Sequence, residues 1–379
     1  MVRHRLMTPG PTPIPESARL EMAKTLEHHR TPGFRQLLGE VLEGLKYVFD
    51  TTNDIAVLTS SGTGAMETCV ANVVPRGGKA IVLDSGKFAQ RWGDICEAYG
   101  ITVVRHKVPW GKSFEADKVA HLLAAHPDAA AVYATLSETS TGVGHDIESI
   151  GRAVAASDAL FAVDGISGVG AIECHTDAWN IDLLAVGSQK ALMSPPGLAF
   201  VAVSESAWRR IESIDRQAFY FDLAAYRKAL AGPDTPYTPS RPLLSALAAN
   251  LSQIRAETIE TVWRRTATLA RATRAGVEAL GLRLVAERPS EALTAAFLPE
   301  GVEAKAFLAR LESRFGVKLA GGQGPLSGKI IRIAHMGQID ELDILSTLSA
   351  IEMVLAEMGQ SVKLGVGVAA AGNVLLKEV

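Results

Sequence analysis

The runs Leu160-Phe-Ala-Val-Asp164 and Asp182-Leu-Leu-Ala-Val-Gly-Ser-Gln-Lys190 decide how this chain is read. Each holds an apolar segment of strand length followed by a polar residue. Apolar runs without alternation suit strands covered on both faces, as in a parallel sheet, where residues just past the carboxyl ends face a crevice. An aspartate and a lysine are thereby expected at one edge of one sheet.

Outward from these runs, residues 35 to 200 alternate short apolar segments with amphipathic segments of helix length, the mark of βαβ units. Strands are expected at 55–59, 79–83, 101–107, 130–135, 160–163, 183–186 and 199–203, with helices at 34–49, 64–74 and 88–99 among them. The segment 228–242 carries Pro233, Pro236, Pro239 and Pro242 in a polar setting and reads as a loop. A helical run from Leu243 to about Leu280, weakly broken near its middle, comes next. Short strands at 282–286, 292–297, 317–319 and 330–333 then surround a helix at 304–315, and a last helix covers 340–358. The expected architecture is α/β: an N-terminal arm (1–20), a large doubly wound domain with a mostly parallel sheet (21–258) and a smaller α+β domain (259–379). Pattern alone gives no account of the apolar, glycine-spaced tail from Val362 to Val379.

At 379 residues the chain can bury a large core. Its net charge of −3 and pI near 6.3, with acidic and basic residues interspersed, favour neither nucleic acid nor an anionic membrane as partner. Cys69, Cys96 and Cys174 are too scattered for a disulfide framework or a metal site, which fits a reducing compartment. Pro9, Pro11, Pro13 and Pro15 interrupt the start before any signal-like apolar region forms, and no apolar stretch is long enough to span a bilayer. A soluble, cytoplasmic protein is expected.

Another segment bears on chemistry. Ile55-Ala-Val-Leu-Thr59 runs into Ser60-Ser-Gly-Thr-Gly-Ala-Met-Glu67 and then a helix, whose free N–H groups and positive dipole end would favour a phosphate. An ordinary strand-to-helix turn with a serine or threonine cap would carry the same residues. A dinucleotide fingerprint is excluded because Glu67 stands where its third glycine belongs. Gly324-Pro-Leu-Ser-Gly-Lys329 is too short for a Walker loop and is followed by Ile330 instead of a hydroxyl residue. Gly165-Ile-Ser-Gly-Val169 lacks the last glycine of a nucleophile elbow, so Ser167 reads as a turn residue. A lysine, an aspartate and a phosphate turn on one sheet edge are what pyridoxal phosphate needs: the lysine for a Schiff base, the aspartate to keep the pyridine nitrogen protonated.

These residues resemble the class V aminotransferases, among the fold-type I pyridoxal phosphate enzymes, and most of all the serine–pyruvate and alanine–glyoxylate group. The resemblance spans nearly the whole chain through Pro9-Gly-Pro-Thr12, Ser61-Gly-Thr-Gly-Ala-Met-Glu67, Ser137-Glu-Thr-Ser-Thr-Gly142, Val163-Asp164, Gly187-Ser-Gln-Lys190 and Lys329-Ile-Ile-Arg332-Ile. It implies that Lys190 binds the cofactor and then serves as the general base, while Asp164 pairs with the ring nitrogen. It implies that Thr63, Gly64, Ala65 and Gln189 line the phosphate, that Thr139 meets the ring's polar edge and that Phe88 stacks on the ring. Tyr237 and Ser240 would reach the phosphate of a neighbouring subunit, which implies a homodimer with shared active sites. Arg332 would grip the substrate α-carboxylate.

The chemistry implied is transfer of an amino group from a small amino acid, such as alanine or serine, to glyoxylate or pyruvate by a ping-pong mechanism. Two positions depart from the animal members: Phe88 replaces a tryptophan, and Arg241 replaces an apolar residue. Arg241 or Arg91, if turned inward, would suit an aspartate aminotransferase. A desulfurase or related lyase would want a histidine at Phe88 and a reactive cysteine after Cys174, and neither is present. A nicotinamide-dependent dehydrogenase would leave Lys190 without a task.

Overall fold

The computed structural model describes residues 3–377. Strands β1 (Asp54–Leu58), β2 (Lys79–Asp84), β3 (Thr102–Lys107), β4 (Ala129–Thr135), β5 (Leu160–Asp164), β6 (Leu183–Gly187) and β7 (Ala199–Val203) form one seven-stranded sheet. Their order is β1-β7-β6-β5-β4-β2-β3. All pairings are parallel except those of β7, which is antiparallel to both β1 and β6. The connection between β6 and β7 is too short to hold a crossover helix, so the chain turns straight back. Lys190 lies in that reversal.

Successive side chains of the central strands enter opposite layers. Phe161, Val163, Leu184 and Val186 pack in one core, while Leu160, Ala162, Leu183 and Ala185 pack in the other. Burial on both faces is why these segments read as unbroken apolar runs. Helix α1 (Gly62–Ala71) follows β1, and α2 (Lys87–Ala98) follows β2.

The long C-terminal helical run is two helices, α3 (Arg241–Glu257) and α4 (Ile259–Ala279), separated at Thr258, whose φ is +70°. A separate apolar core then gathers Leu269, Phe307, Leu311, Ile331, Ile333 and Leu348. Its antiparallel sheet has the order β8 (Leu293–Phe297), β10 (Ile330–Ala334), β9 (Ala320–Gly321). The strand expected at 282–286 reduces to one bridge, Leu284 with Ala296. Val317–Lys318 pairs instead with Arg5–Leu6, bringing the N-terminal segment onto this second unit.

The tail resolves into a helix. After α5 (Glu341–Glu357), α6 (Val366–Leu375) crosses α4 so closely that a Cβ on Gly367 would sit 3.0 Å from the carbonyl oxygen of Gly276. The buried Glu352 caps α6, accepting N–H bonds from Gly365 at 2.6 Å, Gly367 at 2.7 Å and Val368 at 3.1 Å. The last two tail residues, 378 and 379, lie outside the described residues, as do 1 and 2 of the arm. Among the described residues no helix is long and apolar enough to cross a membrane.

Candidate active site

β1, β2, β4, β5 and β6 all point one way, so the residues that follow them gather at one edge of the sheet. Thr63, Phe88, Thr139 and Lys190 are among them, and Asp164 is the last residue of β5 at the same edge. Arg332 reaches the same place from β10 of the other unit, where its Nη1 donates to the carbonyl of Thr139 at 3.0 Å.

Asp164 ends β5 and is buried, with Oδ1 accepting the N–H of Ile166 at 2.8 Å. Its Oδ2 has no hydrogen-bond partner among the described residues. Burial pushes the carboxyl up to about 7, against the pull of that N–H, and Glu138 adds to the rise. Lys190 is close enough to Asp164 that each affects the other's ionisation. Burial brings the ammonium down to about 8 against Asp164, and Arg332 and Arg91 push the same way as burial.

The N-terminal segment, for which the sequence suggested no chemical role, lies across Lys190. The Lys190 Nζ donates to the carbonyl of Pro9. Thr12 fastens the reversal from the other side, its N–H donating to Gln189 O at 3.0 Å and its hydroxyl to Lys190 O at 2.7 Å. Gly10 adopts φ +114°, and a Cβ there would fall 2.3–2.4 Å from Cδ, Cε and Nζ of Lys190. Only glycine fits the backbone angle and the contact together.

At the start of α1, the N–H groups of Gly64 and Ala65 already donate to Ser61 O, at 2.9 and 3.2 Å. The N–H groups of Gly62 and Thr63 have no partner among the described residues, so the open donors begin earlier than the sequence suggested. A Cβ on Gly64 would come within 2.0 Å of Ser60 Oγ, so the turn stays tight. The Ala65 side chain is buried in the core. Gln189, next to Lys190, has a buried Oε1 with no hydrogen-bond partner among the described residues. Because amide oxygen and nitrogen exchange by a flip, this end can equally present N–H donors.

Arg91 joins the phosphate turn to the aromatic. Its Nη1 donates to Thr63 Oγ1 at 3.1 Å, and its guanidinium lies 5.2 Å from the Phe88 ring centroid. It forms no ion pair among the described residues. Thr139 donates its hydroxyl to Ser167 Oγ at 2.6 Å, which ties the residue read as a plain turn former to the site. Arg332 is buried, with Nε on Gly321 O at 2.8 Å, and its Nη2 has no partner among the described residues. Burial lowers its pKa to about 10, opposed by Glu138.

The structure does not bring every candidate to the lysine. Tyr237 donates its hydroxyl to Phe219 O at 2.9 Å and stacks on Tyr220 at 4.9 Å. Ser240 precedes α3 without a side-chain capping bond. No contact among the described residues joins either to Lys190, Asp164 or Arg332. Arg241 pairs with Glu27 of its own chain. Glu138 went unassigned in the sequence because a carboxylate between other polar residues gives no periodic signal, and Ser167 was read only as a turn residue.

The chain is 43% identical to "Soluble hydrogenase, small subunit" of Synechococcus sp., covering 98% of both chains. It is 36% identical to a serine–glyoxylate aminotransferase of Methylorubrum extorquens, covering 98% of this chain and 96% of the other. The crystal structure of a subgroup IV aspartate aminotransferase from Thermus thermophilus superimposes with a TM-score of 0.87 at 33% identity, over 93% of this chain and 99% of that one. The pattern of the family "Aminotransferase class-V" matches residues 20–336. On this match and these relatives, the chain belongs to the class V aminotransferases, with the fold-type I architecture.

Proposed function

We propose that this aminotransferase uses pyridoxal phosphate to move the amino group of a small amino acid, such as alanine or serine, to glyoxylate or pyruvate. The observation that carries the cofactor reading is the pair at the sheet edge, Lys190 beside an Asp164 whose Oδ2 is unpartnered. Asp164 Oδ2 suits a pyridinium N–H. The N–H groups of Gly62 and Thr63, the Thr63 hydroxyl and the orphaned Gln189 amide suit a phosphate, while Phe88 and Thr139 suit the ring's face and polar edge. When bound, the cofactor supplies an electron-accepting ring and an aldehyde carbon that exchanges amines.

The chain's own residues do the rest. With its pKa near 8, Lys190 is neutral in about a tenth of molecules at pH 7, which leaves a free base to carry a proton. Arg332 holds its guanidinium fixed by Thr139 O and Gly321 O, leaving Nη2 for the substrate carboxylate. Glyoxylate as acceptor agrees with the name of the Methylorubrum relative, a serine–glyoxylate aminotransferase.

Aspartate is a second reading of the donor, favoured by Arg91, a cation beside Phe88 and Thr63 without an acidic partner among the described residues. The aspartate aminotransferase from Thermus agrees with it. We further propose a homodimer in which Tyr237 and Ser240 complete the partner's phosphate site, supported by the adjacent Phe219, which is 84% exposed. A division into an arm (1–20), a large domain (21–258) and a small domain (259–379) fits the turn at Thr258 and the separate core beyond it.

Borohydride treatment of the loaded protein, followed by peptide mapping, is expected to place the cofactor on Lys190. Failure to bind pyridoxal phosphate ends the proposal. Alanine, serine and aspartate tested against glyoxylate, pyruvate, oxaloacetate and 2-oxoglutarate decide between the donors. Turnover confined to aspartate would replace the first reading by the second.

A further inference from the structure

Glu138 is wholly buried and forms no ion pair among the described residues. Its Oε1 accepts the N–H and hydroxyl of Ser140 at 3.0 and 2.6 Å, and Oε2 accepts the N–H of Ala89 at 2.8 Å. The N–H of Phe88 approaches both oxygens, at 3.3 and 3.2 Å. Every neighbour donates. The Ser140 hydroxyl itself accepts from the N–H of Lys87 at 3.0 Å, so its proton is directed at Glu138. Burial raises the carboxyl above its ordinary value, and these donors oppose that rise by favouring the ionised form.

The carboxylate also does what the local sequence of α2 does not. The residue before that helix is Gly86, which has no side chain to cap the first turn. A Cβ on Gly86 would meet Ser140 Oγ at 2.6 Å and Glu138 Cγ and Cδ at 2.7 Å, so the two segments are in direct contact. Glu138 and Ser140 together satisfy the N–H groups of Lys87, Phe88 and Ala89 from a different part of the chain. Phe88 is thereby tied to the segment that carries Thr139, whose carbonyl in turn receives Arg332.

We propose that Glu138 is a positioning residue: it fixes the turn bearing Phe88 against Thr139 and supplies a standing negative charge to the active site. This rests on the pyridoxal phosphate reading above. The charged groups that sense it are Asp164 on β5, which it makes harder to ionise, and Arg332 on β10, which it helps keep protonated. Lys190 and Arg91 complete the charged set around Asp164. A negative charge so placed favours protonated forms of whatever binds between these groups.

The test is a pH titration of the absorbance of the pyridoxal-phosphate-loaded protein, wild type against Glu138→Gln, with cofactor dissociation followed in parallel. The neutral variant is expected to move the titration midpoint down by about one unit or more, a tenfold change in the protonation equilibrium, and to release cofactor faster. If Glu138→Gln does not fold, Glu138→Asp carries the test, since it keeps the charge on a shorter arm. Its midpoint should stay within about half a unit of wild type, and a full unit's fall would show that charge is not what Glu138 contributes. An unchanged midpoint in Glu138→Gln overturns the role of Glu138 alone. A wild type that takes up no pyridoxal phosphate overturns the functional reading and this inference with it.

Discussion

Replacing Asp164 with asparagine should change how the stability of the cofactor-free protein depends on pH. The carboxyl rises from an ordinary 3.8 to about 7 in the folded protein, chiefly through burial. Between those values the folded state holds a proton that the unfolded chain has released, so stability falls as pH rises through the window and levels off above it. Three pK units correspond to about 4 kcal/mol. Lys190 acts in a separate window. Its pKa drops from 10.5 to about 8 on folding, so the unfolded chain binds the extra proton and stability recovers as pH rises between those values. Asparagine keeps the acceptor for Ile166 N–H but does not titrate. Urea unfolding of both proteins from about pH 4 to about pH 8 should show wild type losing about 4 kcal/mol relative to Asp164→Asn by neutrality. Parallel stability profiles would refute the claim that Asp164 is forced into a site that resists its charge.

Arg332→Ala should keep the cofactor spectrum while raising the donor KM by about a hundredfold, the effect of losing a charge-assisted pairing; steady-state kinetics with an unaltered KM would place the carboxylate elsewhere. Gly10→Ala combines a forbidden φ with a clash against Lys190, and should cost about 1–3 kcal/mol and slow borohydride-trappable cofactor capture at least about tenfold. Stopped-flow capture at the wild-type rate would contradict the contact. Glu352→Gln replaces an acceptor for three N–H groups at the start of α6 and should destabilise by about 2–4 kcal/mol. A urea-unfolding loss below about 1 kcal/mol would show that the cap is dispensable.

The large sheet was legible because each central strand is buried on both faces and ends at a polar residue, so Asp164 and Lys190 stood out against apolar runs. The tail was not, since Gly367 makes sense only against Gly276 of α4, a partner far away in sequence. The strand expected at 282–286 had suitable residues but lacks a neighbour for more than one bridge. At the site, the resemblance put Thr63, Gly64, Ala65 and Gln189 on the phosphate; the N–H groups of Gly64 and Ala65 bond to Ser61 O in the first turn, because the helix begins earlier than its apolar pattern does. Glu138 was invisible because its task is to cap a helix fifty residues upstream. Tyr237 and Ser240 drew their expected task from the resemblance alone, and that task lies in a neighbouring subunit; within one chain Tyr237 bonds to Phe219 O and stacks on Tyr220.

The N-terminal segment links the two halves of the site mechanically. Met7 N–H donates to Lys318 O at 2.9 Å and Met7 O accepts from Ala334 on the strand of Arg332, while five residues later Thr12 is bonded to the backbone of Gln189 and Lys190. A shift of the small sheet that moved Arg332 would therefore pull, through one short tether, on the loop that carries Lys190. Removing Met7 to Thr12 would therefore cut the link between the two sheets and at the same time strip Lys190 of the Pro9 and Thr12 contacts that hold it.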